Sequence, residues 1–334
     1  MHHDRRQMLG FGVMWSAFAL AQSGCAKAGT PAAWSGFLAR FVAADGRVID
    51  TSNGGVSHSE GQGYGLLMAE AAGDRVAFDL ILNWTLAALR RPDSGLLTWR
   101  YDPSAAAPTG DPNNATDGDI LVAWALLRAE KRWPRGDYGR KSETLRAAIL
   151  REATLDYGGL KLLLPGRQGF VQPDHVVVNP AYYVWPALDA FAVREPLWAP
   201  YIADGLRLLE RAAFGQWRLP SDWVSIDAEG RAAPAPDRPP RFGFDALRVP
   251  LYLAWSKRTG ELETYRRFWK EVESPTGWPA WVDVMTGARA EYPLSAGGAA
   301  IAGLILGRPA SPPPPADSDY YSSSLAQLVR IARA

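Results

Sequence analysis

Ser57-His58-Ser59-Glu60-Gly61-Gln62-Gly63-Tyr64-Gly65-Leu66-Leu67-Met68-Ala69-Glu70 opens as a helix and then works against one. Ser57 and Glu60 have the spacing of a capping box, in which the serine oxygen and the glutamate carboxylate each take an orphan amide. Gly61, Gly63 and Gly65 follow at once, and each glycine costs a helix interior about 1 kcal/mol relative to alanine. A helix that carries such losses implies a close approach to its backbone, here beside a carboxylate. Either a neighbouring element packs tightly behind a capping glutamate, or a ligand comes to an acidic site.

Outward from this stretch, helical spacing of apolar residues dominates. It recurs in 34–44, 60–72, 74–90, 117–130, 142–155, 181–193, 201–213, 245–256, 261–270, 295–306 and 321–331, which predicts eleven helices. Strand signals are confined to Leu160–Leu164 and Val176–Val178. Breakers such as 91–95, 234–240 and the proline run 312–315 fall between helices, and none divides the chain into two domains. An all-helical chain of this kind implies helical hairpins stacked as a solenoid or a closed toroid.

The 334 residues are 47% hydrophobic, enough for a large core, and 36 basic against 35 acidic residues leave a net charge of +1. With no dense basic run beyond the N-terminus, nucleic acid is excluded as a partner and a neutral one is favoured. Arg5-Arg6, the apolar run Met8 to Leu20 and Ala26-Lys27-Ala28 have the order of an export signal, so residues 1–28 are set apart from a single catalytic domain at 29–334. The arginine pair loosely resembles a twin-arginine signal, and Gly24-Cys25 offers the lesser alternative of lipoprotein anchoring. Cleavage after Ala28 removes Cys25, the one cysteine, and with it thiol catalysis, disulfides and thiolate metal sites. The histidines form no spaced set, and no metal or cofactor is expected.

Glu60, Asp117 and Asp245 each stand at a predicted helix start, where the helix dipole favours acids for purely structural reasons. Their company argues for more: Gln62 and Tyr64, Asn113 and Asn114, Phe242 and Phe244, with Trp99 and Tyr101 in a nearby loop. Carboxylates, amides and aromatic faces together suit a sugar, whose rings stack while its hydroxyls bond. Glycoside hydrolysis also needs one protonated and one ionised carboxyl group.

Ala115-Thr116-Asp117-Gly118-Asp119, followed by Ala123, Ala125, Ala129 and Trp133, resembles the signature of glycoside hydrolase family 8, the cellulase D family. Val122 departs conservatively from the usual Ile or Met. The block at 59–65 resembles the family's general-acid motif, and 244–250 the block carrying its general base. The likeness runs from about Gly54 to the C-terminus and is greatest to the periplasmic endoglucanases of bacterial cellulose-synthesis operons. It implies an (α/α)6 barrel with a groove across one end, and an inverting endo-β-1,4-glucanase. In that role Glu60 is the acid, Asp245 the base and Asp117 the holder of the distorted sugar. Arg248 positions a carboxylate, while Gln62, Tyr64, Trp99, Asn113 and Tyr183 contact substrate. The expected partner is a β-1,4-glucan, with a functional link to a cellulose synthase complex. Chitosanase, licheninase and xylanase activities are the alternatives within the family, and a non-catalytic glucan-binding scaffold the alternative outside it.

Overall fold

The computed structural model describes residues 29–334 apart from 135, 311–314 and 316, so the expected export signal at 1–28, with Cys25, lies outside the described residues. All eleven expected helices form: α1 (Gly29–Phe41), α2 (Ser59–Ala72), α3 (Arg75–Ala88), α4 (Thr116–Arg132), α5 (Tyr138–Glu152), α6 (Trp185–Arg194), α7 (Ala199–Arg211), α8 (Arg248–Trp255), α9 (Glu263–Glu271), α10 (Ala296–Ile305) and α11 (Tyr320–Arg333). Short antiparallel strands connect them: β1 (Ser57–His58), β2 (Arg100–Tyr101), β3 (Thr154–Tyr157), β4 (Leu160–Leu163), β5 (His175–Val178), β6 (Val224–Asp227), β7 (Ala232–Pro234), β8 (Arg241–Phe242) and β9 (Val282–Asp283).

Two expected helices begin later than their periodicity suggests, and both delays serve the site. In 181–193, the Asn179 side chain accepts the Ala181 amide at 3.0 Å and holds Pro180–Tyr182 in a 3-10 turn. The α-helix restarts at Trp185 with Pro186 in its first turn, where a missing N–H costs nothing. In 245–256 the helix starts only at Arg248, which leaves Asp245 in the turn before it. The end of the expected helix 142–155 is instead β3, folded back on β4 through Gly158 and Gly159, both at positive φ. Val176–Val178 is indeed a strand, but β6 and β7 complete its sheet, and neither carries a hydrophobic alternation strong enough to be read alone.

α2 is buried from Gly61 through Glu70 on every face, and α4 likewise from Thr116 through Leu126. Helices apolar all round belong to the interior. α9, by contrast, buries only Tyr265, Phe268 and Trp269, one stripe of an outer helix. The interior helices are linked in a circuit: α2 packs on α4, α4 on α6, α6 on α8, α8 on both α10 and α11, and α11 back on α2. One contiguous apolar core runs through them, from Trp34 to Ile331.

The glycines of α2 have their explanation here. A Cβ on Gly63 would stand 2.6 Å from the Leu121 Cβ of α4, one on Gly65 2.8 Å from Val48, and one on Gly61 would strike the Tyr320 hydroxyl of α11. What approaches the backbone is therefore the protein's own framework and not a ligand. The expected capping box does not form either. His58 is the N-cap residue and makes no side-chain cap bond, because Ser57 is held in β1 and Glu60 turns toward Tyr64.

Candidate active site

The N-terminal ends of the circuit's helices meet at one end of the molecule. Glu60 and Asp117 are the second residues of α2 and α4, Tyr321 is the second of α11, and Asp245 lies three residues before α8. Each helix start presents unpaired amides and a partial positive charge, a setting that tolerates clustered acids. Glu60 and Asp117 come close because the two helix starts touch at Gly118: a Cβ there would fall on Ser59 Oγ and lie 2.7 Å from the Glu60 amide. Together with Trp99, Tyr182, Asp245 and Arg248 they line an open depression of about 190 Å³. Larger cavities, of about 270 and 580 Å³, lie elsewhere on the surface and contain no comparable set of acids.

A single guanidinium joins the three carboxylates. Arg248 is buried, and its Nη2 donates to Asp245 Oδ1 at 2.7 Å while Nη1 donates to Asp117 Oδ2 at 3.1 Å. Nη1 also contacts Glu60 Oε1 and donates to the Tyr64 hydroxyl at 3.1 Å. That hydroxyl in turn donates to Glu60 Oε1 at 2.8 Å. One cation among three acids leaves negative charge uncompensated, so the cluster holds protons at a pH where an isolated carboxyl has lost them. Burial, and then the charge of Asp245, hold the Asp117 carboxyl well above the usual range. Asp245 is pushed up to about 7, by burial first and then by the neighbouring Asp222. The side chains differ in access: Asp117 is 3% exposed, Glu60 21% and Asp245 30%. A substrate in the depression meets Glu60 and Asp245 and finds Asp117 beneath them.

The rim is built by local pairing. β1 and β2 pair His58 with Arg100, which stacks the His58 and Trp99 rings 5.8 Å apart at 14°. The Trp99 indole donates to Asp111 at 2.7 Å, which fixes the ring at the mouth of the depression. Asp119, next but one to Asp117, clasps this loop from below: it accepts from the Leu97 amide and from the Asn114 side chain, each at 2.8 Å.

Several expected contacts prove structural. Gln62 is fully buried, and its amide is used by the Val48 amide at 2.6 Å and the Thr85 hydroxyl at 2.8 Å, so it does not reach substrate. Asn113 binds the Gln168 backbone and shapes the rim without lining the depression. Tyr183 is buried against Trp185 and Gly205, and its hydroxyl accepts the Leu163 amide; the preceding Tyr182 lines the site instead. Tyr64 belongs to the site but is fully buried, and it acts on Glu60 and not on substrate. His58, one of the histidines that form no spaced set, lines the depression beside Trp99. Trp278 and Trp281, three residues apart in one loop, separate: Trp278 is buried and bonds the Trp269 carbonyl, while Trp281 stacks under Arg241. Sequence reading missed Asp222, Trp223 and Asn179, which surround Asp245. Only the Asn-Pro pair at 179–180 gives a local signal, that of a turn.

The chain matches Glycosyl hydrolases family 8 over residues 7–334. It belongs to that family. An endoglucanase from Cellulomonas uda is 43% identical over 83% of this chain and 78% of its own length. A probable endoglucanase from Novacetimonas hansenii is 42% identical over 90% of each chain. The crystal structure of a family 8 endo-beta-1,4-glucanase from an Achatina fulica gut metagenomic library superposes with a TM-score of 0.88 at 43% identity, covering 92% of this family 8 chain and 99% of that one.

Proposed function

We infer that the protein is an endo-β-1,4-glucanase that cleaves internal bonds with inversion, using Glu60 as general acid and Asp245 as general base. The observation that carries this reading is the Arg248-centred set of three carboxylates at the floor of an aromatic-edged depression. It stands in a chain 42–43% identical to proteins named as endoglucanases.

Hydrolysis requires a proton for the leaving glycosidic oxygen and a base for the attacking water. Glu60 is accessible and is steered by the Tyr64 hydroxyl, which suits delivery of a proton to a bond lying across the depression. Asp245 is the more exposed partner, with room for a water above it, and a pKa of about 7 makes it a stronger base than an ordinary carboxylate. Asp117 lies on the floor beneath the other two acids with one oxygen held by Arg248, which supports a role in holding the distorted sugar and not in attacking its anomeric carbon. Trp99 offers the stacking face for a glucose ring.

The helix circuit supports an (α/α)6 barrel whose inner-helix N-termini frame the groove. The order of residues 1–28 supports export and action in the periplasm, with acyl anchoring at Cys25 as the alternative. The likeness to endoglucanases of cellulose-synthesis operons points to nascent bacterial cellulose as the glucan met in the cell.

Reducing-end release from carboxymethylcellulose, mixed-linkage glucan, xylan and chitosan tests the substrate class, with carboxymethylcellulose expected first. Faster turnover of chitosan or xylan would move the protein to another activity of the family, and no turnover at all would leave a binding scaffold. Proton NMR of the first product is expected to show the α-anomer. A β-anomer formed first would replace inversion by a covalent mechanism.

A further inference from the structure

Asp222 plays no part in the scheme above, yet it touches the turn on which that scheme depends. Residues 243–247 carry Asp245 outside any helix, so a carboxylate catalysing at fixed distance needs another source of rigidity. Asp222 supplies it: its Oδ1 accepts the Gly243 amide at 3.0 Å and the Ala246 amide at 2.8 Å, the residues on either side of Asp245. The Asp222 amide donates to the Arg241 carbonyl at 2.6 Å, which ties the same loop to β8. The close fit extends to Gly243, where a Cβ would lie 2.9 Å from Asp222 Oδ2 and 3.3 Å from Trp281.

We propose that Asp222 is a positioning residue for hydrolysis, clamping the Gly243–Leu247 turn so that Asp245 stands where the attacking water is deprotonated. The inference rests on the assignment of Asp245 as general base. It has an electrostatic consequence, because a second carboxylate behind the base repels its charge and strengthens its hold on a proton. The groups facing the pair are Arg238 and Arg241 from the loop before β8 and β8 itself, Arg248 from α8, Asp117 from α4, Tyr182 from the turn before α6 and Tyr321 from α11. Asn179 and Trp223 also face Asp245, and both favour its ionised form. Of the two acids beside Asp245, Asp117 and Asp222, it is Asp222 that is bonded to the turn.

Two substitutions separate clamp from charge. Asp222→Asn keeps an oxygen that can accept both amides and removes the charge. Its turnover should persist, with the acid limb of kcat/KM moved about one pH unit lower, the smaller end of what a neighbouring charge does. Asp222→Ala removes the clamp as well, and kcat should fall about 100-fold with little change in KM, as for a catalytic group displaced by about 1 Å. A wild-type acid limb in Asp222→Asn, together with an Asp222→Ala enzyme that differs only in melting temperature, would reduce Asp222 to a structural residue and overturn the proposal. Carbon-13 NMR titration of the Asp245 carboxyl, assigned by its loss in Asp245→Asn, reads the same interaction without catalysis. If the Asp245 titration moves down in Asp222→Asn while the wild-type protein hydrolyses no glucan, the pairing of the two acids stands and the hydrolase reading fails.

Discussion

At the scale of single residues, the site is a matter of which atoms face the cleft and which hold those that do. Glu60→Gln and Asp245→Asn preserve shape and bonding but remove the proton donor and the proton acceptor. Each should lower kcat by ~100- to 10,000-fold with the fold intact by circular dichroism. Retention of more than about a tenth of the activity by either, far above that range, would withdraw its role. Tyr64→Phe is the subtler test. Its hydroxyl bonds Glu60 and Arg248 yet the ring is fully buried, so its loss should be felt in kcat and not in KM. A lost hydrogen bond to a charged group is worth about 1.5–3 kcal/mol, which corresponds to a fall of about 10- to 100-fold in kcat. A rise in KM at constant kcat would instead make Tyr64 a substrate contact.

At the scale of the element, the order of helices and the carboxylates at two of their starts are legible in the sequence, because helical periodicity and helix-start acids are local properties, whereas Asp245, read as a helix start, stands in the turn before α8. Contacts between elements are not. Gln62 and Tyr64 are two residues apart on α2, and which of them faces the site is decided by Val48 and Thr85 on one side and Arg248 on the other. Tyr182 and Tyr183 are adjacent, and only the turn at Pro180 and the pocket beside Gly205 send the second inward. The glycines of α2 signal a close approach, while the partner making it is invisible until α4 and α11 are in place. This gives a paired prediction. Gly63→Ala brings a methyl to 2.6 Å from Leu121 Cβ, and overpacking of ~1–3 kcal/mol should outweigh a helix-propensity gain of about 1 kcal/mol. Gly36→Ala, on the exposed face of α1 with nothing within 4 Å, should keep that gain. Denaturant unfolding distinguishes them, and equal stabilisation by both would refute the close approach of α2 to α4.

At the scale of the whole molecule, gathering acids at the helix starts makes stability depend on pH. Burial is the leading cause that raises Asp119 and Asp245 from 3.8 to about 7 and Asp222 from 3.8 to about 6, and Asp117 moves in the same direction. A carboxyl that holds its proton more tightly when folded stabilises the native state fully below its unfolded value, and that contribution is lost as pH rises through the folded value. Other carboxyls behave oppositely: Asp93, Asp102 and Asp137 are held low by Arg167, Ser104 and Lys141 respectively. Their contribution is present above about 3.8 and disappears only in stronger acid, so they do not oppose the first group between pH 4 and 7. At ~1.4 kcal/mol per pH unit for each proton, even one buried acid such as Asp119 accounts for an effect of a few kcal/mol across that span. The melting temperature should therefore be several degrees higher near pH 5 than near pH 8, a trend opposed to the ionisation of Asp245 that catalysis requires. Calorimetry at pH 5, 6.5 and 8 measures the slope, and Asp119→Asn should flatten it by removing one titrating group from beneath the rim loop. A melting temperature that is constant or rises between pH 5 and 8 would mean that these acids are already ionised in the native protein, and that Arg248 and the helix starts compensate them fully.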